Sequence, residues 1–398
     1  MRYLSSGGGT PRQLIAGMAN FISIEPNMLT WAVQRARKDA SDFKQPVREW
    51  IDGGRKPTLK QLQDFARAAM VPLGYLFLET PPEEKLPVPD FRTRLSKEVE
   101  SPSPNLIDTI FEMERRQDWM RDYLIDAGQD PLEFVGKFSV DSDVVEVAND
   151  IRRELGLPLD WAELCSNSSE TVRAFRNAVN NAGILIFFNG IVGNTTHRVL
   201  DTDEFQGFVL VDNYAPLIFV NSTDAKAAQL FTIAHELAHV WIGQSALFND
   251  LMTDESSQGI ERFCNKVAAE FLMPRDVFTA TWRLLPAGGR QSELQRKFKT
   301  SPIAIAIRAV EHGLMSRKKY EEFLEKYTER LDDADVPEPT SGNFWNNQNS
   351  RLCRRFGQAV VAANQEGRLG HMEAYELTNL RGKTFDKYAK RILDGAGE

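Results

Sequence analysis

The sequence predicts an α+β protein, mostly helical, built around one small three-stranded sheet. Three observations carry this. Apolar residues recur at helical spacing through most of the chain, as in Leu106, Ile107, Ile110, Phe111 and Met113. Only three short runs, 183–188, 207–212 and 216–221, are rich in β-formers and bounded by Gly, Asn, Asp or Pro. Directly after them, residues 231–243 read as an apolar helix interrupted by His235, Glu236 and His239.

The chain has 398 residues, enough for two or three domains, and 42% hydrophobic with 26% charged residues fits a globular protein. Its three cysteines, Cys165, Cys264 and Cys353, are far apart. That spacing argues against a disulfide framework or a cysteine zinc site and points to a reducing, cytoplasmic setting. No apolar run is long enough to span a membrane, and the first residues lack a signal-peptide core, so no membrane association is expected. The net charge of −8 is uneven: residues 1–80 hold 11 basic and 7 acidic side chains, leaving 37 and 49 for the rest. The head alone could therefore meet a nucleic acid, although a solvated surface explains four extra charges equally well.

In order, residues 1–20 read as a flexible lead-in. Residues 21–80 read as a helical module, with helices at 26–38, 47–51 and 56–70 and a short apolar element at 71–78. Pro26 suits a first helical turn. Gly53 and Gly54 close the second helix. The run from Trp50 through Gly53 to Pro57 and Thr58 resembles the second half of phage-repressor-type helix-turn-helix domains. Only Asp39 to Arg48, with Pro46 among them, separate the first helix from Trp50. That is too short for both a positioning and a full recognition helix. DNA contact through 21–80 and a docking or scaffolding role both stay open, and no DNA-binding residue is singled out.

Residues 81–93 form a linker stiffened by Pro81, Pro82, Pro87 and Pro89. The main domain is expected at 94–331. Helices at 105–127, 144–155 and 170–181 precede the three strands, and helices at 302–312 and 318–331 close it. An acidic, Pro-rich linker occupies 332–342. The tail, 343–398, has helices at 350–364, 372–377 and 385–392. Its Arg351, Arg354 and Arg355 either hold an acidic partner or line a solvated face.

The chemistry lies in His235-Glu236-x-x-His239. Four residues apart on a helix, the two imidazoles share a face and can bind one zinc ion, with Glu236 placed to take a proton from water. A catalytic zinc usually takes three protein ligands. No histidine follows at Gly243 to Ser245, so the third ligand is expected to be a carboxylate on the next helix, 260–274. Glu261, beside the buried stripe of Phe263, Cys264, Val267 and Phe271, is better placed than its rival Glu270. Asn265, one turn on, can hydrogen-bond a ligand or the backbone. His312, near a helix end, reads as a cap or core histidine.

Residues 231–239 together with 261–274 resemble the ImmA/IrrE family of zinc metallopeptidases. The resemblance is strongest over 180–275 and extends weakly through the linker to the truncated repressor-like head. It implies a zincin-like peptidase core flanked by helical N- and C-terminal modules. It also implies Zn2+ held by His235, His239 and Glu261, with Glu236 as general base. In many zinc peptidases a sheet edge beside this helix pairs with an extended substrate.

The expected function is a zinc-dependent endopeptidase that cleaves a specific protein, a repressor or regulatory partner. The setting implied is control of mobile elements, stress responses, toxin–antitoxin pairs or defence. Two alternatives stand beside it. One is an antitoxin or regulator that neutralises a partner toxin by binding. The other is a DNA-binding repressor.

Overall fold

The structure is a computed structural model that describes residues 21–82, 102–248, 258–286, 288–332 and 344–394. The chain divides into two compact units, Met1–Lys85 and Leu86–Glu398. Among the described residues, no helix is long and apolar enough to cross a membrane.

In the first unit, α1 (Pro26–Arg35), α2 (Val47–Ile51) and α3 (Leu59–Ala68) pack around Leu29, Val33, Trp50, Phe65 and Leu76. Trp50 meets Phe65 edge-on at 6.0 Å. The third helix starts at Leu59, later than the expected 56, because Thr58 caps it. The Thr58 hydroxyl accepts from the Gln61 amide, and the Gln61 side chain accepts from the Thr58 amide. Between α1 and Trp50 the chain forms a 3-10 turn, Ala40–Asp42, and the start of the five-residue α2. No helix of recognition length lies there.

The second unit opens with α4 (Pro104–Asp126), α5 (Val144–Glu154) and α6 (Ser168–Asn181). Ser103, Asp143 and Asn167 cap them, each side chain accepting from a first-turn amide. Strands β1 (Leu185–Asn189), β2 (Gly207–Leu210) and β3 (Leu217–Asn221) follow, then α7 (Lys226–Ile242). The three expected strands form, and a fourth, β4 (Ala246–Phe248), joins them in the order β1-β3-β2-β4. The β1–β3 pair is parallel, while β2 is antiparallel to both β3 and β4.

Every position of β1, β2 and β3 is buried because helices cover both faces. Ile186, Val209, Ile218 and Val220 pack on α7 and on α8 (Gln258–Leu272). Phe187, Phe208, Leu217 and Phe219 pack on α4 and the C-terminal helices. Two helices without a counterpart in the sequence expectations, α9 (Arg275–Leu284) and α10 (Arg290–Phe298), lead into α11 (Pro302–Glu311) and α12 (Arg317–Asp332).

The helix expected at 350–364 is two, α13 (Phe344–Arg351) and α14 (Arg354–Gln365), broken at Leu352 and Cys353. With α15 (His371–Thr378) and α16 (Lys383–Leu393) they form one core with α4 and the outer face of the sheet. Most of both expected linkers, 81–93 and 332–342, and the lead-in 1–20 lie outside the described residues.

Candidate metal centre

The α7 helix is apolar nearly all round and buried from Thr232 to Ile242. It ends at Gly243, whose φ of 71° gives the left-handed turn that stops a helix. The loop before α5 caps the same end. Gly136 and Phe138 donate their amides to the carbonyls of Val240 and Trp241, each at 3.0 Å. Phe134 stacks on Trp241 at 4.5 Å, and the indole donates to Asp150 at 2.9 Å. The α7 helix is thus gripped on the side away from its histidines.

His235, Glu236 and His239 are all buried on α7, and Glu261 reaches them from the first turn of α8. His235 Nε2 lies 3.1 Å from His239 Nε2 and 3.1 Å from Glu261 Oε2. His239 Nε2 lies 3.6 Å from Glu261 Oε1. The three donor atoms fall within 4.8 Å of one another. A zinc ion with bonds of about 2.0–2.1 Å in tetrahedral array needs ligand atoms roughly 3.3 Å apart. Two imidazoles and one carboxylate at these separations therefore fit a zinc-like divalent cation.

Asn265, one turn along α8, places Oδ1 2.8 Å from His235 Nδ1. An amide oxygen only accepts, so Nδ1 carries the proton and Nε2 turns its lone pair towards the other donors. Burial of Glu261 works against its charge. The imidazoles of His235 and His239 beside it outweigh that and hold the carboxyl well below the usual carboxylate range.

Glu270, the rival ligand, is elsewhere. Nine residues after Glu261 it faces the opposite side of α8, buried against Arg308. His312 caps the end of α11, its ring 6.5 Å from Phe278. Of the tail arginines, Arg351 donates to Asn194 Oδ1 at 3.2 Å.

Gly207 escaped sequence reasoning. A Cβ there would stand 2.5 Å from Thr232 Cγ2, 2.8 Å from the Phe219 carbonyl and 3.4 Å from Glu236 Oε1. Only glycine lets β2 approach α7 this closely beside Glu236. A glycine opening a strand was the available signal, and nothing in its neighbours named Thr232 as the reason.

A mixed sheet thus packs on a His-Glu-x-x-His helix, and a carboxylate from the next helix lies beside its two histidines, a group that could hold a metal ion. Residues 179–310 match the family described as the IrrE N-terminal-like domain, which makes this segment similar to that family. The tail, 352–391, matches a family described only as a domain of unknown function. Over 91 residues the chain is 33% identical to the radiation response metalloprotease IrrE of Deinococcus radiodurans, covering 21% of this chain and 28% of that protein. It is 35% identical over 91 residues to the protein of the same name from Deinococcus deserti, covering 21% of this chain and 32% of the relative. The chain thus spans about a third of the curated relatives it matches.

Proposed function

We propose that the chain is a zinc-dependent endopeptidase of the ImmA/IrrE type that cleaves a specific regulatory protein. The observation that supports this most is the donor set itself: His235, His239 and Glu261 converge within 4.8 Å, on the helix that also carries Glu236. Zinc bound by these three residues would polarise a peptide carbonyl and bring the acidity of a water close to neutral pH.

The remaining steps fall to the protein. Asn265 fixes the His235 tautomer. Glu236 accepts the proton of the attacking water and hands it to the leaving amine. Its buried position strengthens its electrostatic influence on the reacting groups. The choice of a regulatory protein as substrate follows the family resemblance and the curated relatives, both named as response metalloproteases.

The test compares three proteins: wild type, His235→Ala and Glu236→Gln. Zinc content is measured by elemental analysis, and cleavage is followed for a protein captured by Glu236→Gln. Wild type should hold one zinc and cleave. His235→Ala should lose both, and Glu236→Gln should keep zinc and fail to cleave. Cleavage by Glu236→Gln at the wild-type rate would sink the mechanism and favour a binding role.

A further inference from the structure

The end of α8 opposite Glu261 is held by an ionic clamp that plays no part in the chemistry above. Arg152 from α5, Glu270 from α8 and Arg308 from α11 are each at least 95% buried. Arg308 pairs with the Glu270 carboxylate and donates to the Met273 carbonyl through Nε at 3.2 Å and Nη2 at 3.0 Å. Arg152 donates to the carbonyls of Glu270 and Phe271, the latter at 2.9 Å, with its guanidinium 5.4 Å above the Phe271 ring. The other Glu270 oxygen accepts from the Arg275 amide at 3.1 Å, where the chain turns into α9.

Two guanidinium groups thus bind carbonyls that the last turn of a helix leaves without intrahelical partners. Both positive charges also complement the negative end of the helix dipole. Three separate helices meet at this point.

We propose that Arg308 and Arg152, acting through Glu270 and the last carbonyls of α8, are positioning residues that hold Glu261 against His235 and His239. Glu261 and Glu270 are nine residues apart, about 13 Å along the axis and half a turn round it. Between them α8 packs on the core through Phe263, Cys264, Val267, Ala268 and Phe271. Packing of that kind sets which face turns inward, but it resists sliding along the axis less than directional bonds do. The clamp supplies those bonds, and the carboxylate at the other end inherits the register. A displacement of 1 Å at Glu261 is large against a metal–oxygen bond of about 2.0–2.2 Å. This inference rests on the metal-centre reading of His235, His239 and Glu261.

The experiment uses the full chain and zinc alone. Zinc affinity is measured by chelator competition, well below the melting temperature, for wild type, Arg308→Lys, Arg152→Lys, Glu270→Gln and Glu261→Ala. The visible spectrum of the cobalt(II)-loaded proteins reports coordination geometry. Arg308→Lys keeps the charge opposite Glu270 but loses the forked contact to Met273. It should stay folded, bind zinc about tenfold more weakly, and shift the cobalt spectrum towards that of Glu261→Ala. Arg152→Lys should move the same way, and it carries the test if Arg308→Lys does not fold. Wild-type affinity and an unchanged cobalt spectrum in a folded clamp variant would overturn the proposal and leave the metal centre standing. Failure of the wild type to bind zinc would overturn the metal centre and the proposal together.

Discussion

Asn265 Oδ1 sits 2.8 Å from His235 Nδ1, across the interface between the two helices that carry the donor set. That one contact fixes which nitrogen of His235 faces the site. Asn265→Ala should therefore weaken zinc binding by about 10–100-fold while the fold survives, the range typical when a group behind a metal ligand is removed. Asn265→Asp retains an acceptor at the same reach and should keep most of the affinity. Chelator competition measures both. Equal affinity in Asn265→Ala and wild type would show that the contact does not orient the ring.

Removing metal should cost stability, because a ligand that binds only the folded chain stabilises it by mass action. Wild type stripped with a chelator should melt lower. Adding free zinc at about 100 times its Kd should restore roughly 2.7 kcal/mol. Glu236→Gln should gain as much as wild type, since Glu236 is not among the donors. His239→Ala and Glu261→Ala should gain little. Thermal melts with and without zinc read the difference. A full zinc-dependent gain in Glu261→Ala would remove Glu261 from the donor set.

Gly207 offers a test of how closely the sheet must approach α7. Ala at this position places a methyl 2.8 Å from a backbone carbonyl, which cannot rotate away, and 2.5 Å from the Thr232 methyl, which can be removed. Gly207→Ala should cost about 1–3 kcal/mol in a urea melt, as overpacking of a close interface does. Adding Thr232→Ser should recover part of it, leaving the clash with Phe219. Full stability in Gly207→Ala would mean that β2 and α7 separate freely.

These relationships show what the sequence carries and what it withholds. The α7 helix and its neighbour α8 were legible because their periodicity and their polar interruptions are local. The three main strands were legible for the same reason. The Glu261–Glu270 choice was only half legible. Both residues lie on one helix, and what removes Glu270 from contention is Arg308, distant in sequence. The β4 strand spans only Ala246–Phe248, and a run so short becomes a strand only because β2 offers it an edge. The α10 helix buries just Leu294 and Phe298, too sparse a stripe to be read as periodic. The C-terminal helices were legible as helices, but their place on the outer face of the sheet depends on contacts that no spacing rule expresses.

Gly357 and Tyr388 test that last placement. They lie on α14 and α16, and the tyrosine hydroxyl fills the space where a side chain at 357 would begin. A Cβ there would stand 2.0 Å from the hydroxyl oxygen, 3.1 Å from Cζ and 3.4 Å from Cε1. Tyr388 is among the largest fully buried side chains, and burial pushes its phenol well above the usual range. It cannot swing into water without emptying a core shared with Phe356 and Phe385. Gly357→Ala should therefore destabilise the fold by about 1–3 kcal/mol. Tyr388→Phe removes the atom in closest conflict, so the double variant should be more stable than the sum of the two single changes predicts, with a coupling of about 0.5–3 kcal/mol. Because α14, α16, α4 and the sheet share this core, the loss should appear in the cooperative melt of the second unit. Strict additivity in the double-mutant cycle would mean that the two helices do not meet at these residues.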